Sequence, residues 1–143
     1  MLLIDKLSGK PVYEQVIEGV EKNILMGIFE PGCVLPSLRE LSVSLGINPN
    51  TIQKSYAELI RRGVIVSASG SGTYVAPDAV ERIRQSSEKK LLCLEDMVSD
   101  LALAGIPESD VMAMVRAVYA RHDPGRSNPS ATIHPIEKGG KLS

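Results

Sequence analysis

A short run of amide, hydroxyl and cationic side chains carries the chemistry that this sequence offers. Asn50, Gln53 and Lys54 stand three and four residues apart, so a helix would place all three on one face. A carboxamide can form two hydrogen bonds with N6 and N7 of adenine, while Lys54 or Thr51 could reach phosphates or base acceptors. The combination is suited to reading base edges in a DNA groove.

A helix must begin just ahead of these residues to place them. Asn48 followed by Pro49 is typical of an N-cap and a first helical position, and Gly63 indicates where the helix ends. Asn48 can act as a cap or as a base contact, and the cap is favoured. The residues predicted to face the core are Ile52, Tyr56, Leu59 and Ile60. The opposite face carries Pro49, Asn50, Gln53, Lys54 and Ala57.

A shorter helix is predicted in front of this one. Ser37 and Glu40 form the pattern of a capping box, and Gly46 ends the helix within a short turn. Two helices joined in this way make a helix-turn-helix. The β-rich residues 64–67 and 73–75 flank a turn of serine and glycine and predict a small hairpin. The predicted fold class is therefore mainly α with a small β-hairpin wing, a winged helix-turn-helix.

Four groups of residues in this region resemble the GntR family of bacterial transcription regulators. They are Leu35-Pro36-Ser37-x-Arg39-Glu40-Leu41-Ser42, Gly46-Ile47-x-x-Asn50-Thr51, Leu59-x-x-x-Gly63-x-Ile65 and Gly70-Ser71-Gly72-Thr73-Tyr74-Val75. The resemblance covers residues 11–76, about half the chain. It implies a sequence-specific, DNA-binding transcriptional regulator whose partner is a double-stranded operator and whose usual action is repression.

The resemblance implies DNA contacts from both helices and from the wing. Arg39 matches the arginine that reaches a guanine or the adjacent backbone, whereas Ser37 and the amides beside it could hold a phosphate, or Ser37 could serve only as a cap. The small residues of the wing let its backbone approach the minor groove, or merely permit the turn. The candidate DNA-binding residues are Ser37, Arg39, Asn48, Pro49, Asn50, Thr51, Gln53, Lys54, Ser69, Gly70, Ser71 and Gly72.

The charge of the chain predicts modest electrostatic attraction to DNA. The formal net charge is −1, although residues 36–76 hold four basic and two acidic residues, a surplus expected to lie on the DNA-reading surface. Many relatives place arginine or serine where Pro49 stands, and Gln53 is not basic. Both departures predict that tight binding depends on dimerisation.

The residues before the helix-turn-helix predict a scaffold helix. Pro11 suits a first helical position and Gly27 closes the helix, and Val34-Leu35 reads as a short strand edge. The apolar face of this helix comprises Val12, Val16, Ile17, Val20 and Ile24.

The chain past Pro77 is predicted to hold two copies together. Residues 78–90 are either a solvated helix or a linker, with only Val80 and Ile83 for an apolar face. Two apolar-faced helices follow, and because they cannot enclose a core they should pair with a second copy, or else fold back on the winged domain as a monomer. The short C-terminal region resembles the YtrA-like subfamily, in which two helices dimerise. The predicted dimerisation residues are Leu91, Leu94, Met97, Val98, Leu101, Val111, Val115, Val118 and Tyr119.

The predicted domains are a winged helix-turn-helix domain at 1–76, a dimerisation region at 77–121 and a disordered tail at 122–143. Cys33 and Cys93 lack metal-ligand spacing, and both histidines fall in the predicted tail, so no metal, cofactor or enzymatic activity is expected. The absence of a signal or membrane segment predicts a cytoplasmic protein. A small-molecule effector stays open and unidentified. The alternative function is a winged-helix module for protein or RNA, which the polar Asn, Gln and Lys face disfavours.

Overall fold

A computed structural model describes residues 2–122 of the chain, which divide into one compact unit up to residue 91 and a second unit from residue 92. Five helices and one hairpin make up these residues. In chain order they are α1 (Val12–Leu25), α2 (Leu38–Leu45), α3 (Pro49–Arg61), β1 (Ile65–Ala68), β2 (Gly72–Val75), α4 (Ala79–Leu103) and α5 (Glu108–His122). The predicted mainly α fold with a β-hairpin is confirmed.

The helix ends follow the local signals of the sequence. The Ser37 hydroxyl accepts a hydrogen bond from the Glu40 amide at 3.1 Å and caps α2, which ends at Gly46 with φ of 65°. The Asn48 side chain accepts from the Asn50 amide at 2.8 Å, with Pro49 in the first turn of α3. Between the two helices the Ser42 hydroxyl donates to the Ile47 carbonyl at 2.6 Å, which fixes the turn.

Helix α3 is the centre of the first unit, because both α1 and α2 pack against it. Its buried face differs from the prediction at two positions: Ile60 is 41% exposed, and Ser55 is fully buried. The Ser55 hydroxyl lies 2.9 Å from the Tyr13 carbonyl and 3.0 Å from the Thr51 carbonyl, so its single proton is shared between two acceptors and is satisfied inside the core. The buried apolar residues of α1 and α3 are Val16, Ile17, Val20, Ile24, Ile52, Tyr56 and Leu59.

The wing is an antiparallel pair with Ile65 opposite Val75 and Ala68 opposite Gly72. A third extended segment joins it, since Val34 bridges to Tyr74 and the Leu35 amide donates to the Thr73 carbonyl at 2.8 Å. The strand edge predicted at Val34-Leu35 is therefore present. It ties the base of the wing to the residues just ahead of α2.

Of residues 78–90, for which a helix and a linker were both open, residues 79–90 belong to the helix α4. Ala79 and Ile83 are buried in the core of the first unit, whereas Val80, predicted to face inward, is 41% exposed. Ala79, one turn before Ile83, is buried in place of Val80, whereas Ile83 is buried as predicted.

The second unit has no core of its own in the part that the structure describes. No residue from 92 to 122 is buried, and the partly buried side chains on α5 are those of Val111, Val115 and Val118. His122, the first residue of the predicted tail, still belongs to α5, and the rest of that tail lies outside the described residues.

Candidate nucleic-acid interface

The two helix N-termini of the helix-turn-helix present the predicted base-reading residues to solvent. Asn50 and Gln53 on α3 are exposed, as are Ser37 and Arg39 at the start of α2. Of the twelve candidates only Thr51 is half-buried, and the others are exposed. Ser37 and Asn48 both cap helices, so a contact with DNA would be a second role for each of them.

The start of α2 is held to α3 by a buried tyrosine. The Tyr56 hydroxyl donates to the Pro36 carbonyl at 2.6 Å, one residue before the Ser37 cap. Burial of Tyr56 raises the pKa of its phenol above the ordinary value, so it remains a donor. The bond therefore sets where Ser37 and Arg39 lie relative to the recognition helix α3. The sequence placed Tyr56 in the core but gave no sign of this partner.

The wing tip is small and exposed. Ser69, Gly70, Ser71 and Gly72 all face solvent, and Gly70 and Gly72 have φ of 76° and 93°. The glycines are therefore required by the turn, whichever role the tip has toward DNA. The Ser71 amide donates to the Ala68 carbonyl at 3.0 Å and closes the turn.

Only some of the basic residues in residues 36–76 lie near the predicted DNA-reading surface. Arg61 and Arg62 are at the C-terminal end of α3, about 18 Å along the helix axis from its first residue. Both are paired with Glu58, at 2.6 Å and 2.8 Å, and Arg62 also lies 3.4 Å from Glu21. Arg39 and Lys54 are the remaining cations of residues 36–76, and they stand nearer the recognition end.

The acidic partners at this far end have opposite pKa shifts. Hydrogen bonds from the guanidiniums of Arg61 and Arg62 lower the pKa of Glu58 to about 2. Burial raises the pKa of Glu21, and the nearby Arg62 only partly offsets that rise. The network is an ion-pair cluster that stabilises the end of α3, away from the residues that would read bases.

Lys54 makes a contact that the sequence did not reveal. Its ammonium lies 3.9 Å from the centroid of the Tyr13 ring on α1. Tyr13 was not among the candidate residues, because its pairing with Lys54 joins positions far apart in the chain.

The described residues include few other side chains that could be reactive or bind a metal. Cys33 is half-buried and Cys93 is exposed, and both are free thiols. Within residues 2–122 no three potential metal ligands cluster, and each helix is too short or too polar to cross a membrane.

Comparison with known proteins agrees with this arrangement. Residues 12–75 match the family described as bacterial regulatory proteins, gntR family. The HTH-type transcriptional repressor YtrA of Bacillus subtilis is 33% identical over 129 residues, which cover 90% of this chain and 99% of YtrA. The similarity therefore extends through the C-terminal helices.

Solved structures show the same likeness. A GntR family transcriptional regulator from Listeria monocytogenes superposes with a TM-score of 0.64 at 33% identity, over 77% of this chain and 96% of that one. YtrA from Sulfolobus acidocaldarius gives a TM-score of 0.52 at 30% identity, over 64% and 97% of the two chains. The resemblance to the YtrA-like subfamily is confirmed, and these relatives are regulators rather than enzymes. The chain belongs to the GntR family and is a DNA-binding transcriptional regulator.

Proposed function

We propose that this protein is a cytoplasmic, homodimeric repressor that binds a two-fold symmetric operator. The observation that carries the proposal is the second unit, in which no residue from 92 to 122 is buried although apolar residues recur along both helices. Leu94, Val98 and Leu101 are 42%, 38% and 38% exposed and follow one another at four- and three-residue steps. An apolar stripe of this kind is stable in water when a second copy covers it.

The operator-reading surface in this proposal comprises the N-terminal turns of α2 and α3 together with the wing tip. Asn50 and Gln53 read adenine in the major groove, and Arg39 binds guanine or the adjacent backbone. Lys54 and Ser37 bind phosphates. The wing tip from Ser69 to Gly72 approaches the minor groove through its backbone.

Dimerisation compensates for the small positive charge of one reading surface. Half of the cations in residues 36–76 are committed to the ion-pair cluster at the far end of α3. A single copy therefore neutralises few phosphates and binds weakly, whereas two copies on one duplex double the number of contacts. The name of the Bacillus subtilis relative, a transcriptional repressor, supports repression as the outcome.

The test uses the purified full chain and fragments of genomic DNA. Selection of bound fragments should yield an inverted repeat, and fluorescence anisotropy should show that a duplex with both half-sites binds at least tenfold more tightly than one with a single half-site. Equal affinity for the two duplexes would reject the dimeric reading. Binding that hardly changes between 50 and 200 mM salt would favour the protein-binding alternative over DNA.

A further inference from the structure

A lysine on the recognition helix rests on an aromatic ring of another helix. The Lys54 ammonium lies 3.9 Å from the centroid of the Tyr13 ring, within the range at which a cation is attracted to the face of an aromatic ring. Lys54 itself remains exposed to solvent, so the ring covers only part of the ammonium.

The ring is in a fixed position relative to α3. The Tyr13 carbonyl accepts a hydrogen bond from the buried Ser55 hydroxyl at 2.9 Å, a contact between residues 42 positions apart. The Tyr13 side chain is half-buried and packs against the core. Because Ser55 directly follows Lys54, one hydrogen bond holds the Tyr13 backbone beside the residue whose ammonium its ring contacts.

The contact leaves the ammonium able to bind an anion. Lysine has three N–H donors and the ring face satisfies only one side of the group. Lys54 stands four residues after Asn50 and next to Gln53, so it belongs to the same face as the base-reading amides. A free lysine side chain loses much rotational entropy when it binds a phosphate, and a side chain already held on a ring loses less.

We propose that Tyr13 is a positioning residue for DNA binding, which holds the Lys54 ammonium in place for an operator phosphate. The proposal rests on the assignment of Lys54 to DNA made above. Tyr13 and Lys54 line a groove of about 630 Å³, which Glu14 and Glu18 share with the ion-pair cluster of Glu21, Glu58, Arg61 and Arg62. A Lys54 released from the ring would stay near these carboxylates, which compete with phosphate for its charge.

The first experiment compares Tyr13→Leu with Tyr13→Phe by fluorescence anisotropy on the operator duplex selected with the wild-type protein. Tyr13→Leu removes the ring and should weaken binding about two- to fivefold, as expected for an exposed cation–π contact. Tyr13→Phe keeps the ring and should bind within twofold of the wild type. Equal losses in both variants would contradict a role for the ring.

The second experiment repeats Tyr13→Leu in a Lys54→Gln background, which separates positioning from general loss of structure. In that background Tyr13→Leu should cause no further loss of affinity. Lys54→Gln alone should reduce the slope of log affinity against log salt by about 0.9 per half-site. A loss of the same size with and without Lys54, or a gain of affinity in Tyr13→Leu, would overturn the proposal.

A third measurement tests the contact without DNA. The ε-methylene signal of Lys54 should show an upfield ring-current shift in the wild type and in Tyr13→Phe, and should lose it in Tyr13→Leu. A signal at the ordinary position in the wild type would overturn the proposal even if one variant folds poorly. If Lys54→Gln leaves operator affinity unchanged while Asn50→Ala weakens it, the positioning role is wrong but operator reading by α3 stands.

Discussion

Three hydroxyl groups hold in place the segments that are predicted to face DNA. Those of Ser42, Ser55 and Tyr56 donate to the backbone carbonyls of Ile47, Tyr13 and Pro36 respectively. Each bond joins a helix to the turn or segment beside it. The geometry of the interface thus depends on side chains that a search for base-contacting residues passes over.

The Tyr56 hydroxyl should contribute measurably to stability. Tyr56→Phe leaves the Pro36 carbonyl without this donor, so the free energy of unfolding should fall by about 1 kcal/mol. Urea denaturation checks the value. Tyr74→Phe, on strand β2, is the matched control: its hydroxyl has no hydrogen-bond partner among the described residues, so the change should alter stability by less than about 0.5 kcal/mol. Equal effects of the two changes would show that the bond is unimportant.

Arg39 should contribute to operator affinity rather than to folding. Arg39→Ala removes an exposed guanidinium beside the α2 cap and should weaken operator binding by about 1 to 3 kcal/mol at fixed salt. Arg61→Ala removes the same charge at the far end of α3 and should have a much smaller effect on affinity. Fluorescence anisotropy measures both variants, and a larger loss in Arg61→Ala would contradict the proposed orientation of α3.

Residues whose roles are local were predictable from the sequence, and those whose roles join distant segments were not. The caps at Ser37, Asn48 and Gly46 follow from hydrogen bonds and φ values within a few residues. The burial of Ser55 was not predictable, because a polar serine is expected to be exposed until its acceptor on α1 is known. The contact between Lys54 and Tyr13 was not predictable either, because it joins residues that are far apart in the chain.

The two ends of helix α3 carry different groups of side chains. Its N-terminal turn presents amides to solvent, while its C-terminal end holds the cluster of Glu58, Arg61, Arg62 and Glu21. A count of charges along the sequence places all these cations in one group. In the structure Arg61 and Arg62 lie at the C-terminal end of α3, far from its N-terminal turn. The expected basic surface is therefore weaker than the count of charges suggests.

The cluster should give the protein a defined acid sensitivity. The folded-state pKa of Glu58 is about 2, below the ordinary value of 4.5, so its stabilising contribution is present above pH 4.5 and is lost as the pH falls towards 2. Glu58→Gln should therefore lower stability at pH 7, and the difference from the wild type should shrink below pH 4.5. Urea denaturation between pH 3 and 7 tests this dependence.

Glu21 provides the contrast within the same cluster. Its pKa is raised by burial, so the ionised carboxylate costs stability that is regained as the pH falls. Glu21→Gln should stabilise the protein at pH 7 and should have little effect at low pH. If both glutamine variants destabilise the protein equally at every pH, the proposed electrostatic balance is wrong.

At the scale of the whole molecule, the two units differ in how they are stabilised. The first unit has a continuous core that reaches from Leu2 to Ile83. The described part of the second unit has none, so its folding and its pairing are expected to be one event. The lack of an enclosed core was predictable from the sequence, because two short helices offer too little volume to enclose side chains.

The apolar stripe should therefore determine the oligomeric state. Leu94→Glu or Val98→Glu puts a charge into the proposed interface without a partner, so the dimer should dissociate at micromolar concentration. Ser99→Glu, exposed on the same helix, is the control and should remain dimeric. Sedimentation velocity distinguishes these outcomes. An unaltered dimer in both Leu94→Glu and Val98→Glu would show that the interface does not include this stripe.

The base of the wing is hydrogen-bonded to the segment that leads into α2: the Gly32 amide donates to the Val75 carbonyl and the Val75 amide donates to the Cys33 carbonyl. The tip from Ser69 to Ser71 lies beyond the last paired residues and is exposed. Substitutions at the base would disturb two segments that are predicted to face DNA, whereas substitutions at Ser69 or Ser71 leave the scaffold unchanged. The wing tip is thus the part of the proposed interface at which the protein could acquire a new flanking-sequence preference in single mutational steps.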